Sequence, residues 1–431
     1  MSAKNRIAIV FISGSAGELD WILPILDFLQ SKNFRIKIIF LTRHALRSVK
    51  QNSMCNDFIK QKNSKIELIS FGGYFFEKIE RIGYLSYRIF LKLKLNKISP
   101  INTCYNIYES FYKFIFMRCL PLEILNSNDE KYLFISEFPS LRRPRDNWIK
   151  KKFKKSIFFY CPHSPHIYTE ELDQKYEDPD QINFNQRFFL LLGHPSDYRF
   201  INDGRELAAT DLEKIFIGHP KYSDSWLQSL KDKARDFRNT FAERKKINIL
   251  VLSRGYGSYM NEESQIHLVN STIRTIENLV PDYNLFVKKH PRETLSHWDN
   301  VLEEYPAIEI VNNHILQIAT KADLVISFWG SGSMDCFMLG VPVIEYWDPV
   351  KHHKQQVPEK DSYTTIYRKL GIVSAANNEK ELKKAIYMLQ KNNFEINLIE
   401  PHFFFGDLID RSNNWKITLE KIISANGLLN N

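Results

Sequence analysis

Short apolar runs alternate with amphipathic stretches along most of the chain. Ile7–Ile12 ends at the turn Ser13-Gly14-Ser15-Ala16-Gly17, and the pattern then predicts an amphipathic helix from about Glu18 to Ser31. Further strands are predicted at Ile36–Leu41, Ile66–Ser70, Tyr132–Ser136 and Ser156–Cys161. A charged helical segment, Trp226–Lys246, precedes a second alternating block. There Ile247–Leu252, Tyr283–Lys288, Ile308–Val311, Leu324–Ser327 and Val341–Tyr346 read as strands. Glu263–Leu279, Met334–Leu339 and Trp415–Ser424 read as helices. Short β-rich runs separated by helical stretches imply parallel sheets with crossover helices.

The chain has 431 residues, more than one hydrophobic core usually serves. Two doubly wound domains facing across a cleft are therefore expected: a first over 1–225 and a second over 247–405. A connector at 226–246 joins them, and a C-terminal helix within 406–431 is expected to pack back on the first domain. With 44% hydrophobic and 25% charged residues, the composition is that of a globular protein. The first apolar run is too short for a signal peptide, and no window has the roughly 18 apolar residues that span a bilayer. Five widely spaced cysteines without a CxxC read as reduced thiols of a cytoplasmic protein.

The net charge of +9 concentrates in two basic segments, 85–97 and 142–155. These are either solvated or core-packed helix faces, or a surface for an anionic membrane, which would make the protein peripheral on the inner membrane face. No nucleic-acid motif accompanies the charge, so nucleic acid is not expected as a partner.

Sites in parallel sheets lie at the carboxyl ends of strands, and the candidate chemistry falls there. Leu324–Ser327 runs into Phe328-Trp329-Gly330-Ser331-Gly332-Ser333 and then a helix. Glycines let a backbone approach a ligand, and a helix start offers free N–H groups, which suits a phosphate. The spacing is not the dinucleotide fingerprint. Leu285-Phe286-Val287-Lys288-Lys289-His290-Pro291 ends a neighbouring strand in a basic pair and a histidine. Glu345, closing Val343-Ile344-Glu345-Tyr346, either accepts both hydroxyls of a ribose or forms a salt bridge at the sheet edge.

Together, Lys288 to Tyr346 resembles the nucleotide-binding half of GT-B glycosyltransferase-like proteins. These include capsule and lipopolysaccharide transferases, CDP-glycerol glycerophosphotransferases and non-hydrolysing UDP-N-acetylglucosamine 2-epimerases. The shared features are the Lys-x-His-Pro-like strand end, the Ser/Gly turn and Leu-Gly-x-Pro-Val-Ile, over about the last 200 residues. The resemblance implies a GT-B-like α/β fold of two Rossmann-like domains. It also implies that Lys288, His290, Pro291, Gly330, Ser331, Gly332 and Ser333 contact donor phosphate or base, and that Glu345 contacts ribose. The donor would be a nucleotide-activated sugar or polyol phosphate, with no obligatory cofactor or metal.

The first-domain turn resembles those that open several such enzymes, although the epimerases' Gly-Thr-Arg-Pro-Glu is missing. Glu18 or Asp20 would serve as general base, or would simply favour the helix dipole. His163, in Cys161-Pro162-His163-Ser164, directly follows a strand and is the preferred acid/base, with His166 behind it. It resembles the His-Gly strand end of the glycerophosphotransferases, with Ser164 in place of the glycine. Gly218-His219-Pro220-Lys221-Tyr222 resembles the strand end that closes the first domain. Arg254, after the Ile247 strand, would neutralise a leaving phosphate. No HExxH, P-loop or GxSxG occurs. The expectation is transfer from a nucleotide-activated donor to a glycan or lipid-linked acceptor in cell-envelope polysaccharide synthesis. UDP-sugar 2-epimerisation and a non-catalytic GT-B-fold partner are the alternatives.

Overall fold

The computed structural model describes residues 6–61, 66–70, 131–137, 149–162, 182–193, 212–234, 246–256, 260–290, 293, 296–348, 365–369, 371–392 and 414–429. These form two parallel sheets. The first contains β1 (Arg6–Ile12), β2 (Phe34–Phe40), β3 (Ile66–Ser70), β4 (Tyr132–Ser136), β5 (Ile157–Tyr160), β6 (Phe188–Leu192) and β7 (Leu212–Phe216). Its spatial order is β3-β2-β1-β4-β5-β6-β7. The second contains β8 (Ile247–Leu252), β9 (Tyr283–Lys288), β10 (Ile308–Ile310), β11 (Leu324–Ser327), β12 (Val343–Tyr346) and β13 (Ser374–Ala376), ordered β10-β9-β8-β11-β12-β13. In each sheet the order reverses beside its first strand. The crevices lie between β1 and β4 and between β8 and β11, where ligands bind in doubly wound folds.

The strands read as nearly continuous apolar runs because both faces of each sheet are covered. On β8, Ile249 and Val251 enter one core cluster, while Leu250 and Leu252 enter another on the opposite face. On β1, Ala8, Val10 and Ile12 pack with α1 (Ala16–Ser31). On the other face, a row of rings crosses four strands. Phe11 stacks on Phe134 at 6.2 Å, Phe134 on Phe158 at 4.9 Å, and Phe158 meets Phe188 at 5.0 Å.

Three strands go beyond the sequence reading. Phe188–Leu192 is apolar throughout, and a run that short has no period to separate strand from helix. Leu212–Phe216 carries charge at two of its five positions and lies at the sheet edge. Ser374–Ala376 has only three residues.

Helices position the site. In the first unit, α2 (Arg43–Gln51) and α3 (Ser53–Gln61) follow β2, and α4 (Asp224–Ala234) follows a 3-10 turn at Pro220–Tyr222. In the second, α5 (Glu262–Leu279), α6 (Trp298–Val301), α7 (Ile315–Ala319), α8 (Gly332–Met338), α9 (Ile366–Lys369) and α10 (Glu379–Lys391) flank the sheet. The last helix, α11 (Asn414–Ala425), lies against the first unit. Trp415 meets Phe28 edge-on at 5.8 Å, and Glu420 pairs with Lys32 at 2.6 Å. The first core also takes in Leu316, Met334, Phe337 and Met338, so apolar packing runs from one unit into the other.

Candidate functional site

Two strand ends converge at the β8/β11 crevice. The Arg254 guanidinium, just past β8, donates to the Trp329 carbonyl at 2.8 Å and lies 4.4 Å from the centre of its ring. Trp347, just past β12, stacks on the same indole at 5.6 Å. Trp329 has φ +61°, a left-handed backbone that costs a bulky residue strain. The turn that follows leads into α8. The N–H groups of Gly330, Ser331 and Gly332 meet no acceptor among the described residues. Such a cluster of free donors at a strand end suits an anion. Ser331 is exposed, whereas Ser333 is fully buried and donates its hydroxyl to Ser327 at 2.9 Å.

A carboxylate absent from the sequence reading braces this edge. Glu293 Oε1 accepts from Ser253 Oγ and Gln265 Nε2, each at 2.9 Å, and from Ser296 Oγ. Its Oε2 accepts the His290 N–H at 3.0 Å. Gln265 also donates to the Arg254 carbonyl at 3.0 Å, so Glu293 ties the turn after β8 to the turn after β9. Gly255 leaves the necessary room: a Cβ there would sit 2.6 Å from Glu293 Cγ. Lys288 ends β9 half-buried, with its ammonium on the Asn312 carbonyl at 2.9 Å. Burial pulls its pKa down to about 8.

Glu345 lies at the end of β12 with no exposed surface. Its Oε1 accepts from Thr365 Oγ1 at 2.8 Å and from Arg368 Nε at 2.7 Å, while Oε2 has no partner among the described residues. Burial pushes its pKa up, and Arg368 and Thr365 act against that shift. Arg368 is held in turn by Asn377 and the Trp347 carbonyl.

In the first unit, the turn after β1 is closed by its own carboxylate. Glu18 Oε2 accepts the Ser13 N–H at 2.8 Å, and Oε1 accepts the Gly14 N–H. Ser15 caps α1 through its hydroxyl, which starts the helix two residues earlier than the pattern predicts. Asp20, on the next turn of α1, is 5% exposed and pairs with Lys221 at 2.7 Å. The ends of β5, β6 and β7 enclose a cavity of about 20 Å³ lined by Trp21, Cys161, Gly193 and His219, among others. That is room for a single water.

No protein-family model and no curated protein matches the chain. Solved structures do. UDP-GlcNAc 2-epimerase from Neisseria meningitidis, bound to UDP-GlcNAc, is similar at a TM-score of 0.55 and 12% identity, over 97% of this chain and 100% of that one. The corresponding enzyme from Methanocaldococcus jannaschii scores 0.52 at 15% identity, over 96% and 99%. A single-site variant of the wall teichoic acid polymerase TagF scores 0.51 at 11% identity, over 97% and 89%. The chain has a GT-B-like fold.

Within this GT-B-like frame, Arg254, Lys288, His290, Gly330, Ser331 and Gly332 all sit at the carboxyl edge of the second sheet, beside the β8/β11 crevice. Ser333 lies behind that surface, and Glu345 is committed to Arg368 two strands from β8. Glu18 and Asp20 flank the first crevice, each already hydrogen-bonded. His163, His166 and Pro291 lie outside the described residues, as do segment 85–97 and residues 142–148. Of the remaining basic run, Lys150 rests 4.9 Å from the centre of the Phe188 ring, while Lys151, Lys154 and Lys155 are exposed. No helix among the described residues is long and apolar enough to cross a membrane.

Proposed function

We propose that the protein transfers a sugar or polyol-phosphate group from a nucleotide-activated donor to a hydroxyl of a glycan or lipid-linked acceptor, in cell-envelope polysaccharide synthesis. The observation that carries this reading is the edge between β8 and β11. A guanidinium held across the crevice and three N–H groups without an acceptor among the described residues meet there. Fixed donors of this kind stabilise the negative charge that builds on a departing nucleotide phosphate. The neighbours with this fold are named for UDP-GlcNAc and for teichoic acid polymerisation, which agrees with a nucleotide donor.

In this reading the donor phosphates lie against Arg254 and Gly330–Gly332, with Lys288 and His290 beside them. The acceptor hydroxyl loses its proton to His163 as its oxygen bonds to the transferred group, and the bond from that group to the nucleotide phosphate breaks. The two N–H donors on Glu18 favour a role in shaping the turn after β1. Asp20 is assigned to the same supporting class, and Glu345 to holding Arg368 and the end of β12. The exposed lysines of 150–155 are available to an anionic membrane surface. The test is release of the nucleotide from the donor in the presence of acceptor, a nucleoside diphosphate for sugar transfer or a monophosphate for polyol-phosphate transfer, comparing the wild type with His163→Ala. Loss of turnover with nucleotide binding intact supports the assignment, and unchanged turnover refutes the role of His163.

A further inference from the structure

Where the two units meet, five ionisable side chains from four separate segments form one buried cluster. Lys221, 2% exposed in the 3-10 turn after β7, reaches Asp20 Oδ2 on α1 at 2.7 Å. It also reaches both oxygens of Asp335 on α8, at 3.0 and 3.2 Å. The Tyr222 hydroxyl donates to Asp335 Oδ1 at 2.8 Å. His314, just before α7, meets Asp20 Oδ1 through Nε2 at 3.2 Å. Its Nδ1 accepts the Leu316 N–H at 3.2 Å. Two carboxylates thus share one ammonium, and the Tyr222 phenol donates to one of them, while Asp20 Oδ1 accepts no hydrogen bond among the described residues. Burial opposes the charge on Lys221, but Asp20 and Asp335 outweigh it and hold the pKa above the ordinary lysine value.

The cluster spans both strand-end turns described above. Asp20 lies one helical turn into α1, behind Ser13–Ser15, and Asp335 lies in the first turn of α8, behind Gly330–Gly332. A second link runs parallel to it: Ser53 Oγ on α3 donates to Gln317 Oε1 on α7 at 2.9 Å and accepts the His314 N–H at 2.7 Å. Apolar side chains of similar volume would often hold such an interface at least as firmly, because desolvating charges offsets their attraction. What an ionic cluster adds is geometry: Lys221 satisfies both carboxylates only at one relative placement of α1 and α8.

We propose that Lys221 is a positioning residue that fixes the α8 turn of the second unit against the α1 turn of the first, so that the two candidate half-sites are held in one register. Small-angle X-ray scattering of the full chain tests this with the isosteric variant Asp335→Asn. That change keeps the Tyr222 hydrogen bond but removes the charge that Lys221 bridges to. The expected result is a larger radius of gyration and a broader distance distribution than the wild type, with two calorimetric transitions in place of one. Tyr222→Phe, which loses a single hydroxyl, should shift the profile in the same direction and by less. Wild-type scattering from both variants overturns the proposal, even if their melting temperatures fall, because the cluster would then only add stability. UDP affinity, measured alongside, should stay within about twofold, since the cluster lies behind the turn and not on its ligand side. The scattering result needs no nucleotide. A wild-type protein that binds none would refute the transferase reading and leave the role of Lys221 to be decided separately.

Discussion

Replacing Glu293 by glutamine keeps the shape of the side chain and tests whether this carboxylate braces the second sheet's edge. Four donors converge on it: Ser253 Oγ, Gln265 Nε2, Ser296 Oγ and the His290 N–H. The two hydroxyls can turn to accept instead, but the two nitrogens cannot. Gln265 cannot flip, because its own oxygen receives the His297 N–H at 3.0 Å. A glutamine at 293 with its oxygen towards Gln265 turns its NH₂ on the His290 N–H. With its oxygen towards His290, it turns that NH₂ on the Gln265 amide. Either way one partly buried donor is orphaned, at a cost of about 1–3 kcal/mol. For a unit of roughly 150–250 residues, a loss near 2 kcal/mol lowers Tm by about 4–8 °C. Scanning calorimetry measures the loss, with the exposed Glu303→Gln as a control expected within about 0.5 kcal/mol of wild type. A Glu293→Gln protein that melts within 1 °C or so of wild type would refute the four-donor account.

Two further predictions concern the same edge. Lys288 has its pKa drawn down to about 8 by burial, against an ordinary 10.5. The unfolded chain therefore binds more protons between those values, and this group's contribution to stability rises with pH across that window. A phosphate held by its ammonium should bind more weakly above about pH 8, by up to about tenfold per unit, and Lys288→Arg should abolish the fall. Titration calorimetry from neutral to alkaline pH decides it, and a flat wild-type profile contradicts it. Trp329 has φ +61°, so Trp329→Gly should be more stable than Trp329→Ala by about 1–2 kcal/mol, the reverse of the order usual in regular structure. Denaturant midpoints settle the order, and an alanine variant equal to or above the glycine one removes the strain argument.

The fold was largely legible in the sequence because parallel strands buried on both faces leave apolar runs, and most runs here stop within a few residues at small or polar ones. Leu324–Ser327 and its Gly330-Ser331-Gly332 turn stand out for that reason. Leu212–Phe216 does not, because an edge strand tolerates Glu213 and Lys214, and its pattern imitates a loop. The site was half legible. A residue's position at a strand end can be read from spacing, which placed Arg254, Lys288 and His290 at one edge. What a side chain touches cannot. Ser333 shares the glycine turn's signature yet bonds inward to Ser327, and Asp20 resembles a helix-start base yet faces Lys221. Glu293 follows His290 by three residues, a carboxylate just past a strand end, and that was the only signal it offered. Its partners at 253, 265, 290 and 296 come together only through the sheet.

Nucleotide binding at the β8/β11 crevice is the claim on which the account rests, and thermal shift with CMP, CDP, UDP and GDP tests it most directly. A ligand at 100 times its Kd stabilises by about 2.7 kcal/mol, well within what the method resolves. At least one of the four should raise the wild-type melting temperature, and Arg254→Ala should remove most of that rise. If none of the four stabilises the wild type, the crevice does not hold a nucleotide and the proposed function is wrong.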